Sequence, residues 1–224
     1  MPQTKKPEDE GKQVNQAVLK EYKPMFLNNG SYRYVIVMGG RGGGRSTVSS
    51  QYAVAKLLDP SYFRAAIMRF ILGDIRNSIY QEILDRLEEQ NITENVNIID
   101  HKMRLEYGEN SINAVGFRKS SGDQKSKLKS LAGYTDVIIE EADETSAHDF
   151  MQLDDSLRTI KSDITITLIL NPPSAEHWII KRFFDLVPIP EKDGYFTLKV
   201  KDEYKEKVLY INTNSQNSVK NMAQ

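Results

Sequence analysis

From residue 34 onward, short continuous apolar runs alternate with stretches whose apolar positions recur three or four residues apart. An unbroken apolar run of four to eight residues suits a strand buried on both faces, whereas the wider spacing suits one face of a helix. The pattern predicts strands over 34–38 (YVIVM), 65–70, 96–99, 103–107, 112–117, 137–139, 164–170 (ITITLIL), 195–200 and 208–211. Helices are predicted over 48–58, 148–160 and 175–186. One longer amphipathic helix is expected across IRNSIYQEILDRLEEQ, where Ile75, Ile79, Ile83 and Leu87 fall at i, i+4, i+8 and i+12. Gly108-Glu109-Asn110 reads as the turn of a hairpin. Strands alternating with helices imply a three-layer α/β domain with a mainly parallel central sheet. The polar, mixed-charge residues 1–23 are expected to form a flexible arm, 24–200 the folded domain and 201–224 an extension or linker.

The first apolar run leads into GGRGGGRST at 39–47, with Gly39, Gly44 and Ser46 at the GxxxxGK[ST] positions and Arg45 in place of lysine. Gly39, Gly40, Gly42, Gly43 and Gly44 remove the Cβ atoms that would hold phosphates away from the backbone N–H groups. The following helix adds its N-terminal dipole, Arg45 a cation for the β and γ phosphates, and Ser46, followed by Thr47, a hydroxyl placed for Mg²⁺. A plain glycine-rich turn is the competing reading, and the strand before it and the hydroxyl-initiated helix after it argue against that.

A hydrolase needs a second, acidic motif. Residues 136–144 (DVIIEEADE) provide an apolar strand ending in paired carboxylates. Glu140 sits where an acid would hold Mg²⁺ directly or through water, and Glu141 where a base would orient the attacking water. Asn171, at the tip of the ITITLIL run, faces the crevice at the carboxyl ends of the strands, as a sensor of the γ phosphate or as the cap of a turn before two prolines. Arg118, Lys119, Lys125, Lys127 and Lys129 form a local basic run, read as a contact to a neighbouring subunit's nucleotide, a contact to DNA phosphates, or a solvated loop. Arg158 is a rival for the first of these. Arg69 and Arg76 are left between a phosphate contact and a surface ion pair, His177 is expected to cap a helix, and Tyr32 or Arg33 to meet the adenine.

Composition narrows the class without changing that picture. Hydrophobic residues make up 39% and charged residues 27% of the 224, with a formal net charge of -1, so any nucleic-acid contact must come from a local patch. The absence of cysteine excludes disulfides and thiolate metal sites, and the three histidines, at 101, 148 and 177, are too scattered for metal-ligand spacing. No run of about 18 apolar residues suggests a membrane span, and no secretory leader is evident.

Taken together, GGRGGGRST at 39–47, MR at 68–69 with DIRNSIYQEI at 74–83, KLKSLAGYTDVIIEEADE at 127–144, DDSLR at 154–158 and LNPPSAEHWIIKRFF at 170–184 resemble the large terminase subunits of tailed bacteriophages. The resemblance implies an ASCE-type P-loop domain that hydrolyses Mg²⁺-ATP to drive double-stranded DNA into a procapsid. It implies a γ-phosphate or switching role for Arg41, a functional rather than lost cation at Arg45, and a coupling role for the segment around Asn171. The implied partners are double-stranded DNA, the portal protein, the small terminase subunit and further copies in a ring, at the portal vertex in the host cytoplasm. Because the stretch after Val187 is too short for the nuclease domain usual in that family, no DNA cleavage is expected from this chain. A helicase-like ASCE ATPase and a nucleotide-binding module without turnover remain open alternatives.

Overall fold

The computed structural model describes residues 18–28, 30–40, 42–118, 131–190, 192, 194–213 and 219–220. Its strands are β1 (Tyr34–Met38), β2 (Arg64–Ile71), β3 (Asn97–Ile99), β4 (Arg104–Tyr107), β5 (Asn110–Arg118), β6 (Asp136–Glu140), β7 (Thr165–Leu170), β8 (Phe184–Pro188), β9 (Tyr195–Val200), β10 (Val208–Asn212) and β11 (Val219–Lys220). The α-helices are α1 (Lys23–Phe26), α2 (Arg45–Leu58), α3 (Gln81–Glu89), α4 (Ala147–Ser156) and α5 (Trp178–Phe183).

An eight-stranded sheet runs β10-β1-β7-β6-β2-β5-β4-β3. The strands from β10 to β5 in that order are mutually parallel, and β4 and β3 extend the sheet by antiparallel pairing. The continuous apolar runs β1, β6 and β7 are buried along their whole length because helices cover both faces. Alternate side chains sort to opposite faces. Val35, Val37, Ile67, Ile138 and Ile169 join α2 and α3 in one core, and Ile36, Met68, Ile139 and Leu168 join α4 and α5 in the other. The expected three layers are present, with β7 inserted between β1 and β6.

Several boundaries differ from the expectation, each for a local reason. The single helix across 75–90 is broken: a π-helical turn spans Arg76–Tyr80, Ser78 is non-helical (φ -126, ψ -117), and only Gln81–Glu89 is α-helical. The Ser78 hydroxyl donates to Asp74 O at 2.8 Å and so competes with the helical backbone pattern. Ile75, Ile79, Ile83 and Leu87 are nevertheless all fully buried, so the face survives the break. The helix expected over 148–160 ends at Ser156, and that over 175–186 is only Trp178–Phe183. From Phe184 the chain is extended and pairs with β9 in a separate three-stranded sheet, β11-β9-β8. His177 caps α5, as expected, by accepting from Ile179 N.

The expected ends of the domain also shift. Within the stretch expected as an arm, Tyr22 is buried against the first core. Within the stretch expected as an extension, β10 pairs with β1 in parallel, Val208 and Ile211 being buried.

Candidate nucleotide site

The period-two alternation of the strands builds this site. Val37, Ile169, Ile138 and Ile67 all face α2 and α3. Two residues further along each strand, on the same face, stand Gly39, Asn171, Glu140 and Arg69. The strands β1, β7, β6 and β2 are neighbours in that order, parallel and closely in register, with Met38 opposite Leu170 and Glu140 opposite Ile169. Their carboxyl tips therefore converge on a cavity of about 120 Å³ lined by Arg45, Ser46, Arg69, Ser78, Glu140, Glu141, Ile169, Leu170 and Asn171.

Arg45 and Ser46, at the start of α2, form one wall, and the loop between β1 and α2 leads into it. Gly42 (φ 78) and Gly44 (φ 72) are left-handed, which lets the chain curl round to the start of the helix. Gly44 is the N-cap of α2 and offers no side-chain acceptor to its first-turn N–H groups. Those donors are available to an anion. Ser46 and Thr47 are exposed at that helix start. Arg45 turns back toward β7, where Nη1 donates to Leu170 O and Nη2 donates to Asn171 Oδ1 at 2.8 Å. Asn171 thus holds the loop cation through its side chain. Arg41, Lys119, Lys125, Lys127 and Lys129 lie outside the described residues.

The acidic pair splits into two roles. Glu140 is only 6% exposed, and burial pushes its pKa up to about 7; the Arg69 charge opposes this, Glu82 and Glu141 add to it, and the Ser78 hydroxyl lowers it. A desolvated carboxylate facing a cavity that also contains Ser46 suits Mg²⁺, which binds through one or two carboxylates and otherwise keeps waters and phosphate oxygens. No group of three His, Cys, Asp or Glu residues able to hold a metal occurs among the described residues. Glu141 leaves the strand with a left-handed backbone (φ 48, ψ 47), an uncommon conformation for a non-glycine residue. Its half-exposed carboxylate is paired with Arg69 Nη2. Arg69 Nη1 reaches Asp74 O at 3.4 Å, and its Nε is buried without a hydrogen-bond partner.

Other expected residues lie elsewhere. Arg33 pairs with Asp154 at 2.6 Å, and both it and Tyr32 precede β1, at the amino end of the sheet, one strand length from the loop; the adenine expectation is corrected on that ground. Arg158 is also at that end, where its carbonyl accepts from Gly133 N and it lines an open cleft with Tyr62, Arg64 and Lys161. A cavity of about 210 Å³ near Tyr52 and Asp136 lies at the same end and meets none of the loop residues. Arg76 forms a surface pair with Asp100. Ser78 was missed by sequence reasoning because an unbroken helix would have buried its position in the repeat. Tyr22, which donates to Gly43 O, was missed because it lies in a polar stretch.

A glycine loop between a strand and a helix, an acid strand separated from it by one inserted strand, and a second glutamate beyond the acid define an ASCE-type P-loop NTPase domain. More narrowly, the chain belongs to the phage terminase large subunit family, whose model matches residues 31–221. It is similar to the PBSX phage terminase large subunit of Bacillus subtilis (strain 168), with 25% identity over 170 residues, 75% of this chain and 38% of that protein. Among solved structures it resembles the large terminase of a thermophilic bacteriophage, with TM-score 0.64, 12% identity, and coverage of 88% of this chain and 46% of that one. That terminase has also been solved in complex with ADP and with ATP-gamma-S. The ATPase domain of the Thermus phage P74-26 large terminase is similar over 80% of this chain and 76% of that one, with TM-score 0.55 and 16% identity. The chain spans less than half the length of the Bacillus protein and of the thermophilic-phage terminase.

Proposed function

We propose that this chain is an ATP-hydrolysing motor domain, turning Mg²⁺-ATP into ADP and phosphate to move double-stranded DNA into a procapsid. The observation that carries the reading is the convergence, on one cavity, of Arg45 and Ser46 from the start of α2, Glu140 and Glu141 from the end of β6 and the residue after it, and Asn171 just beyond β7. The nucleotide complexes of the thermophilic-phage terminase and the packaging role of the family support the substrate and the task.

In this reading the Gly39–Thr47 backbone and the α2 N-terminus hold the β and γ phosphates, with Arg45 bridging them as a planar, permanently charged donor. Ser46 and Glu140 would hold Mg²⁺, which supplies charge neutralisation on the phosphate oxygens. Glu141 orients the attacking water and takes its proton, and to do so its carboxylate must leave Arg69. Arg45 must likewise exchange Leu170 O for phosphate, which pulls on the β7 tip and on Asn171. Arg41 is assigned to the γ phosphate, and Lys127, Lys129 or Arg158 to a neighbour's nucleotide or to DNA, by resemblance. The portal protein, the small terminase subunit and a ring of copies complete the proposed assembly, at the portal vertex in the host cytoplasm.

Steady-state phosphate release tests the assignment. Glu141→Gln should keep nucleotide binding and lose about 10²–10⁴-fold in turnover; unchanged turnover removes Glu141 as the base. The tying of Arg45 to β7 also favours a second reading, a module that binds nucleotide without turning it over. Under that reading wild type releases no phosphate, and Arg45→Lys gains activity.

A further inference from the structure

The phosphate loop is gripped from outside its own motif. After β10 the chain reaches Thr213, whose N–H donates to Met38 O at 2.9 Å and whose Oγ1 lies 3.3 Å from the same oxygen. The Thr213 hydroxyl occupies the place where a side chain on Gly39 would begin, and it stands 3.0 Å from where one on Gly43 would begin. From the other side the buried Tyr22 hydroxyl donates to Gly43 O, and it also meets the Thr213 hydroxyl. Residues more than a hundred positions apart thus meet at one glycine. We propose that Tyr22 and Thr213 are positioning residues that brace the phosphate loop at Gly39 and Gly43 for phosphate binding, so that nucleotide affinity depends on two hydroxyls lying outside the loop sequence.

Preorganisation of the loop would produce this dependence. Glycine-rich backbone is the most mobile chain there is, and ordering it when ligand arrives costs affinity. Gly39 is buried between Thr213 and the Arg45 stem, whose Cδ is 3.4 Å from the same vacant Cβ position. A hydroxyl on each flank restricts the loop before phosphate arrives. Because Thr213 directly follows the strand paired with β1, the brace is carried by the sheet and not by the loop.

This inference rests on the nucleotide-site reading, and equilibrium binding of Mg²⁺-ADP with a thermal melt of the nucleotide-free protein separates the two. Thr213→Val and Tyr22→Phe should each raise Kd about five- to tenfold, the equivalent of about 1 kcal/mol, with the nucleotide-free melting temperature within about 2 °C of wild type. Thr213→Ser, which keeps the hydroxyl, should bind like wild type. The double variant should lose less than the product of the single losses, because both groups act on Gly43. If wild type binds no ADP, the nucleotide-site reading falls and the brace with it. If wild type binds and both single variants bind equally well, only the brace is overturned. It is overturned too if Thr213→Ser loses as much as Thr213→Val, or if affinity falls only together with a matching loss of melting temperature.

Discussion

At the scale of single residues the decisive quantity is the charge on Glu140. Burial raises its pKa from 4.5 to about 7, so below pH 7 the folded, nucleotide-free protein favours the neutral form. The contribution to stability is fully present below about pH 4.5 and is lost as pH rises through 7. Glu140→Gln, which is neutral at every pH, should therefore raise the melting temperature of the nucleotide-free protein at pH 8 by several degrees, with an upper limit of about 3 kcal/mol, and change it little at pH 4.5. A melt series across that range checks the sign. In the proposed site, metal binding would run the other way, since a cation held by Glu140 needs the carboxylate: Mg²⁺-dependent nucleotide affinity should rise between pH 6 and 8. Arg69 holds the Glu140 pKa down, so Arg69→Ala should move that rise to higher pH, read by titrating affinity against pH in both proteins. Sequence alone identified both glutamates, because an apolar run ending in two acids is a local pattern. It left Arg69 undecided between phosphate and ion pair, because its partner, Glu141, is 72 positions away.

At the scale of elements, periodicity located the buried strands well and the helix ends poorly. The strands at the centre of the sheet are apolar almost without interruption, which only burial on both faces satisfies. Helix ends depend on caps and on competition with other elements. The apolar positions Ile179, Ile180, Phe183, Phe184 and Leu186 suit either spacing, and pairing of Phe184 with Val200 decides for a strand. Helix α4 begins where the Ser146 side chain accepts from Asp149 N at 3.1 Å. Ser146→Ala should cost about 1 kcal/mol and lower the melting temperature by about 2–4 °C, leaving Mg²⁺-ADP affinity unchanged, since α4 covers the opposite face of the sheet from the site. In the phosphate loop, Gly44→Ala forces a side chain into a left-handed position at the helix start and should cost both stability and affinity, by about 1–2 kcal/mol, measured by melt and by binding.

At the scale of the molecule, the eight-stranded sheet makes β10, late in the chain, part of the fold. Truncation after Val200 would strip β10 from β1, uncover both cores, one of which Ile211 helps to fill and the other Val208, and remove Thr213 from the loop. The two side chains alone represent about 3–6 kcal/mol, comparable with the roughly 5–15 kcal/mol of a whole domain. A chain ending at 200 should therefore melt much earlier and less cooperatively than one ending at 213. The sequence by itself determined the fold class, the phosphate loop, the acidic pair and the family resemblance, because each is written in neighbouring residues: an apolar run, a glycine loop, a carboxylate pair at a strand end. Only the tertiary structure decided which tips converge, that Arg45 is held by Leu170 and Asn171, that Arg69 holds Glu141, and that Tyr22 and Thr213 flank the loop. Those contacts join positions far apart in the chain, and strand order and register, which no local pattern encodes, bring them together.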